Sequence, residues 1–153
     1  MALREDLESS GTWLFKKRSY LPILVIVPVL WSLRDVQYLG GSAGTQRIWE
    51  LFCLLVGLLG VWIRCYTVGH VAQGTSGRTT RAPTADTLNV TGMYSMVRHP
   101  LYLGNYFMWL GPALFPHSLA TALIVSLIFW IYYERIMLAE ESYLRTRFGA
   151  TFE

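Results

Sequence analysis

Apolar residues gather along the chain in four runs, Tyr20 to Leu33, Ile48 to Val71, Leu101 to Phe115 and Leu119 to Leu138. A helix that crosses a hydrocarbon core ~30 Å thick needs about 20 residues. The second and fourth runs meet that length, whereas the first and third need flanking residues, tilt or partial re-entry. Gly111, Pro112 and Pro116 break up the end of the third run, which predicts a kink and then a tight turn into the fourth. One long polar segment, Ala72 to Thr91, separates the second and third runs and contains GTSGRTTRAPTADT. Loops this long in compact proteins are usually functional or disordered. The pattern predicts an all-α fold, a single membrane domain over residues 1–153 with about four transmembrane helices. Its parts are a leader at 1–19, two N-terminal helices in 20–71, a loop at 72–91 and a C-terminal core at 92–153.

Composition agrees with the pattern. The chain is 53% hydrophobic and only 15% charged, whereas a soluble domain carries about a quarter charged residues. The expected solvent is therefore a bilayer. A net charge of +3, scattered along the sequence, is too small to argue for nucleic acid and suits anionic lipid headgroups better. Lys16, Lys17 and Arg18 before the first apolar run have the look of a secretory signal. Glu5, Asp6 and Glu8 precede them and Arg34 and Asp35 follow the run, so the segment reads as a retained helix.

With the amino terminus cytoplasmic, eleven of the thirteen Lys and Arg residues fall on or near that side, leaving Arg34 and Arg47 outside. The expected orientation thus puts both termini in the cytoplasm. Cys53 and Cys65 stand about 18 Å apart along one helix and cannot pair with each other, and His70, His99 and His117 form no metal-ligand spacing. No metal is expected. Cys53, Gly57, Gly60 and Arg64 line up on one face of the second helix, a stripe for close helix packing, with Arg64 expected to snorkel to the interface.

The candidate chemistry begins at Tyr94 with YSMVRHPLYLGNYFMWLG. Pro100 disfavours helix at His99 and suits the first turn of a following helix. His99 is thereby placed at a helix cap with unpaired backbone N–H groups, and Arg98 adds a full positive charge. Tyr102, Asn105, Tyr106 and Trp109 share one face of that helix, while Gly104 and Gly111 lie on another. Asn105 inside an apolar run must find a partner or a ligand. At the end of the fourth run, YYERIMLAEESYLRTRFG holds Glu140 and Glu141. Arg145 stands four residues past Glu141, in the order that favours an ion pair, and Glu140 points elsewhere. In the expected topology both glutamates share a membrane side with Arg98 and His99, so the two helix ends meet in one cytoplasmic polar pocket.

The pair TGMYSMVRHPLYLGN, Thr91 to Asn105, and EESYLRTRFG, Glu140 to Gly149, resembles the isoprenylcysteine carboxyl methyltransferase family and the related phospholipid methyltransferases. The two motifs together are far more specific than either alone, and they cover about the last 60 residues. The resemblance implies S-adenosylmethionine in a cytoplasmic pocket between the Arg-His-Pro and Glu-Glu segments. It also implies Tyr94, His99, Pro100, Tyr102, Gly104, Asn105, Glu140 and Glu141 on the cofactor side. Family members continue past the Phe-Gly with an aromatic and basic tail that helps to close the site, and this sequence departs from that pattern, ending at Glu153. The chain before Val71 matches no motif of the family.

Transfer of a methyl group from a sulfonium to an anionic oxygen annihilates charge, so a water-poor site favours the transition state. A carboxylate or phosphate acceptor on a lipid or lipidated molecule is already ionised and needs no general base. Arg98, His99 and Asn105 are then the expected catalytic residues. His99 would take a proton only from an amine or thiol acceptor. Arg78, Arg81, Tyr106 and Trp109 are the expected acceptor-binding residues; the hydroxyls and guanidiniums around Gly74 to Arg81 suit a phosphate or carboxylate, as they would a solvated linker. Two other classes compete. A membrane reductase using NADPH would need a diphosphate cradle, for which GTSG at Gly74 to Gly77 is a weak match. A non-enzymatic scaffold would have no use for Asn105, His99 and Glu140 in lipid.

Overall fold

Each apolar run of the sequence is a helix in the computed structural model, which describes residues 2–36, 41–71 and 88–149. The helices are α1 (Ala2–Lys17), α2 (Leu21–Ser32), α3 (Ala43–Gly69), α4 (Pro100–Leu114) and α5 (Leu119–Phe148), with short 3-10 turns at Arg18–Tyr20, Leu33–Asp35 and Gly92–Ser95. No strand occurs among the described residues.

Local chemistry sets the ends of these helices. Ser42 caps α3, its hydroxyl accepting from the Gly44 N–H at 3.3 Å, and so the helix starts ahead of the apolar run. Pro100 opens α4 directly after His99. Ser118 caps α5 by accepting from the Thr121 N–H at 3.2 Å, after a tight turn in which His117 takes a left-handed φ of 58°. No glycine or proline then interrupts α5 until Gly149, whose φ is 54°, so the helix runs ten residues past the end of the apolar run at Leu138 and carries Glu140 and Glu141 with it.

The leader is more than a tail. Residues 2–17 form α1, which packs along the C-terminal half of α5. Gly11 meets the α5 backbone so closely that a Cβ there would lie 2.1 Å from the Arg135 carbonyl oxygen. The Tyr132 hydroxyl donates to the Leu14 carbonyl at 3.0 Å, Arg135 donates to the Ser10 hydroxyl at 3.3 Å, and Phe15 is buried in the core.

α4 lies between α3 and α5, and α2 packs on α5 beside it. The core joins Phe15 and Val25 to Tyr102 and Ala113 of α4 and to Val125, Phe129, Tyr133 and Ile136 of α5. The α3–α4 contact is set by glycine. A Cβ on Gly60 would sit 2.5 Å from the Gly104 oxygen, and one on Gly111 would sit 2.7 Å from the Cys53 oxygen. The predicted stripe of small residues on α3 is thus the face that receives α4.

α3, with 27 residues, and α5, with 30, are long and apolar enough to cross a membrane. α2 and α4, at 12 and 15 residues, rise only about 18 and 22 Å. The outward faces of α2, α3 and α5 are apolar: Val27, Trp31, Leu51, Leu54, Leu55, Leu58, Leu123, Leu127 and Ile131 are all exposed. Continuous exposed apolar surface of this kind is what lipid covers and water does not.

Candidate functional site

The site is assembled where the start of α4 meets the last turns of α5. At His99 the backbone and side chain separate their duties. Its carbonyl accepts from the N–H groups of Tyr102 and Leu103 at 3.1 Å and so begins α4, while the imidazole makes no cap bond and turns to α5. There His99 Nε2 lies 3.1 Å from Glu141 Oε1, and Nδ1 lies 3.8 Å from Glu140 Oε2. The Tyr102 hydroxyl, one helical turn on, donates to Glu140 Oε2 at 2.9 Å. Arg98 Nη1 stands 3.7 Å from Glu141 Oε2. The His99 side chain is only 14% exposed and the two glutamates 21–26%, whereas Arg98 is 61% exposed. Two partly buried carboxylates therefore face a partly buried imidazole, with the Arg98 guanidinium at the mouth.

Tyr94 approaches from the 3-10 turn ahead of the Arg-His-Pro segment. Burial, and after it the charge on Glu140, push its phenol above the ordinary value of 10.0; desolvation disfavours the phenolate and a neighbouring carboxylate adds to that penalty. Pro100 is fully buried beneath the cluster and serves it through the helix start.

Asn105 leads inward. Its Oδ1 accepts a hydrogen bond from Arg64 Nη1 of α3, and its Nδ2 donates to the Tyr133 hydroxyl at 3.0 Å. The Tyr133 ring packs 4.8 Å from Tyr102, which in turn stacks with His99 at 5.6 Å. The partly buried Arg64 side chain therefore turns to α4 and joins this network through Asn105. Gly104 makes this possible, since a Cβ there would lie 2.7 Å from Arg64 Cγ and 2.9 Å from the Gly60 oxygen. Gly104 lies against α3 and leaves room there for the Arg64 stem.

Other expected residues stand apart from the cluster. The Tyr106 hydroxyl lies 3.0 Å from that of Ser126 and its ring packs against Phe129 and Trp130. Trp109 is packed against the core. Both belong to the α4–α5 interior, further along α4 than the carboxylates. Arg78 and Arg81 lie outside the described residues. The Glu141–Arg145 pair is present at 3.9 Å but is longer than the His99 contact, so both glutamates, and not Glu140 alone, answer to His99. A groove of about 320 Å³ lined by Trp130, Glu134, Met137, Leu138 and Glu141 runs along α5 to the cluster. Sequence reasoning placed Arg64 on the packing stripe but did not find its contact with Asn105, nor Tyr133 or this groove.

Fold and site together define a helical membrane protein with a half-buried polar centre at one end of its apolar helices. The chain belongs to the phospholipid methyltransferase family, as the two motifs had suggested; its model matches residues 48–151, so the match begins within α3, ahead of Val71, where sequence reading had found no family motif. It is 33% identical over 97 residues to a protein-S-isoprenylcysteine O-methyltransferase of Schizosaccharomyces pombe, covering 62% of this chain and 41% of that one. Its identity to the Saccharomyces cerevisiae enzyme of the same name is 30% over 121 residues, 77% of this chain and 49% of that one. It is also 36% identical over 123 residues to the nickel-cobalt-cadmium resistance protein NccN of Alcaligenes xylosoxydans xylosoxydans, covering 78% and 54%. The chain spans about half the length of the curated relatives it matches. No solved structure matches it. These matches favour the methyltransferase class over the reductase and scaffold readings.

Proposed function

We propose that this protein is an S-adenosylmethionine-dependent methyltransferase that methylates a carboxylate or phosphate oxygen on a membrane-embedded lipid or lipidated acceptor. In this reading four helices cross the membrane, α2 and α4 with the help of their flanking turns, and both termini and the polar centre face the cytoplasm. The observation that carries the reading is the placement of His99 between Glu140 and Glu141, with Tyr102 fixing Glu140.

The donor set suits the cofactor. Glu140 and Glu141 offer negative charge to an ammonium and a sulfonium, and the faces of Tyr102 and Tyr133 add cation–π attraction. Arg98, exposed and 3.7 Å from Glu141, brings a planar guanidinium of the kind that suits a carboxylate. When bound, S-adenosylmethionine supplies an electrophilic methyl group on a cationic sulfur. The protein's part is alignment and exclusion of water: the core rings of Tyr102, Phe129 and Tyr133 dry the inner side, and an ionised oxygen acceptor leaves no proton for His99 to remove. The groove along α5, apolar except for its glutamates, offers a lipid chain a route to the centre.

Calorimetry on folded, detergent-solubilised protein tests the reading. S-adenosylmethionine and S-adenosylhomocysteine should both bind. His99→Ala, Glu140→Ala and Glu141→Ala should each weaken binding by about tenfold or more, the loss expected for charge-assisted hydrogen bonds. Absence of binding heat from folded wild-type protein would defeat the proposal.

A further inference from the structure

The lipid-facing surface of α5 has an edge. Leu119, Leu123, Ile124, Leu127, Trp130 and Ile131 are exposed, and past Ile131 no large apolar side chain of this helix is. The next residue, Tyr132, donates to the Leu14 carbonyl at 3.0 Å, so the edge lies level with the last turn of α1. On that turn Trp13, Lys16 and Lys17, three and four residues apart, share one exposed face, while Gly11 and Phe15 are buried against α5 and the core. Tyr20 follows in the 3-10 turn, also exposed, with Lys17 Nζ 5.5 Å from the centre of its ring. Immediately after it α2 turns Ile23, Leu24, Ile26 and Val27 outward. Among the described residues neither lysine forms an ion pair.

Two aromatic rings and two unpaired ammonium groups therefore stand where the apolar belt ends, the level of lipid headgroups. Trp and Tyr rings favour that level, lysine stems lie along apolar surface with their charges in the headgroups, and each lysine held near an anionic bilayer surface favours binding by about fivefold. We propose that this outward face of α1, with Trp13, Lys16, Lys17 and Tyr20, is a docking surface for the anionic lipid headgroups of the bilayer, and that docked lipid holds α1 in its seat on α5. The seat adjoins the polar centre: a Cβ on Gly11 would lie 3.0 Å from the Cβ of Ala139, the residue before Glu140. Headgroup charge thus reaches the turn of α5 that carries the carboxylates, through a helix that has no side chain in the cluster. Nothing in this surface depends on which reaction the centre performs.

Two measurements test the surface and its effect. In native mass spectrometry, the detergent-solubilised full chain is offered phosphatidylglycerol and phosphatidylcholine of the same acyl chains; it should bind the anionic lipid about tenfold more tightly. Lys16→Gln with Lys17→Gln should lower that ratio by about fivefold or more, and Lys16→Arg with Lys17→Arg should keep it. Arg34→Gln with Arg47→Gln removes as much charge from exposed residues at the other end of the bundle and should leave the ratio unchanged. In nanodiscs, amide exchange over residues 2–17 should slow by about fivefold or more when phosphatidylglycerol replaces about a third of the phosphatidylcholine. The paired glutamine variant should lose that slowing, and inorganic phosphate added to phosphatidylcholine nanodiscs should not reproduce it. Equal affinity for the two lipids overturns the proposal, as does a ratio that survives the glutamine pair, is lost in the arginine pair, or falls equally in the Arg34 and Arg47 control. Exchange indifferent to lipid charge would sink the coupling to the α1 seat, and slowing by inorganic phosphate alone would replace a lipid surface with a small-anion site.

Discussion

Replacement of Gly60 by alanine should loosen the seam between α3 and α4, and the structure sets the size of the effect. The new Cβ would lie 2.5 Å from the Gly104 oxygen and 2.6 Å from the Met108 nitrogen, both backbone atoms of α4. No rotamer relieves such contacts, so the helices must separate. Overpacking of this kind costs about 1–3 kcal/mol, offset in part by the ~0.5–1 kcal/mol that alanine gains over glycine inside a helix. A net loss of about 1–2 kcal/mol increases the open population roughly 5- to 30-fold. Cys53 reports it, being buried to 4% exposure on the face of α3 that receives Gly111 of α4. In a Cys65→Ser background, which removes the exposed thiol, a thiol-reactive dye should label Cys53 faster in Gly60→Ala by that factor. Gly57→Ala is the control, since a Cβ there meets nothing within 4 Å and only the helix propensity gain remains. If Gly60→Ala labels no faster than Gly57→Ala, the close glycine crossing is not what holds α3 to α4.

Two further outcomes follow from sites at the ends of the bundle. Because the Tyr94 phenol is held above 10.0, its neutral form contributes stability that is complete below pH 10 and is lost as the pH rises through the higher folded value; Tyr94→Phe should flatten that alkaline decline in unfolding experiments in detergent, and parallel declines would refute the assignment. Gly11→Ala, whose Cβ would fall 2.1 Å from the Arg135 carbonyl oxygen, should lift α1 from α5 and speed tryptic cleavage after Lys16 or Lys17 by about tenfold, the consequence of ~1.4 kcal/mol of lost docking; unchanged cleavage would mean that α1 is not held there.

The helices that sequence pattern predicts correctly are those whose partner is lipid as much as protein. Where the outer surface must be apolar, the run itself is the signal, and α2 to α5 all carry it. α1 escapes because its sequence is dense in charge, with Arg4, Glu5, Asp6 and Glu8 ahead of Lys16 and Lys17. Its helix is held by docking through Gly11, Leu14 and Phe15 onto residues more than a hundred positions away. The ends of α4 and α5 were legible as motifs because Pro100 fixes a helix start and the two glutamates follow a long apolar stretch. Arg64 was not. Its direction depends on Gly104, on a different helix, having no side chain, and nothing local to α3 records that. Tyr133 was hidden for another reason: a tyrosine among Phe129, Trp130 and Tyr132 looks like filling until its hydroxyl is seen to meet Asn105.

The docking of α1 on α5 has a consequence for how the protein is made. The ribosome delivers α1 more than a hundred residues ahead of Tyr132 and Arg135. α1 must therefore wait, with the Phe15 ring that the finished core buries to 3% still unsheltered, until α5 has been synthesised. Pairings this distant in sequence form late and leave apolar surface open to wrong partners meanwhile. The pairing that closes this bundle joins α1 to α5, and α1 can be seated only once α5 has been made.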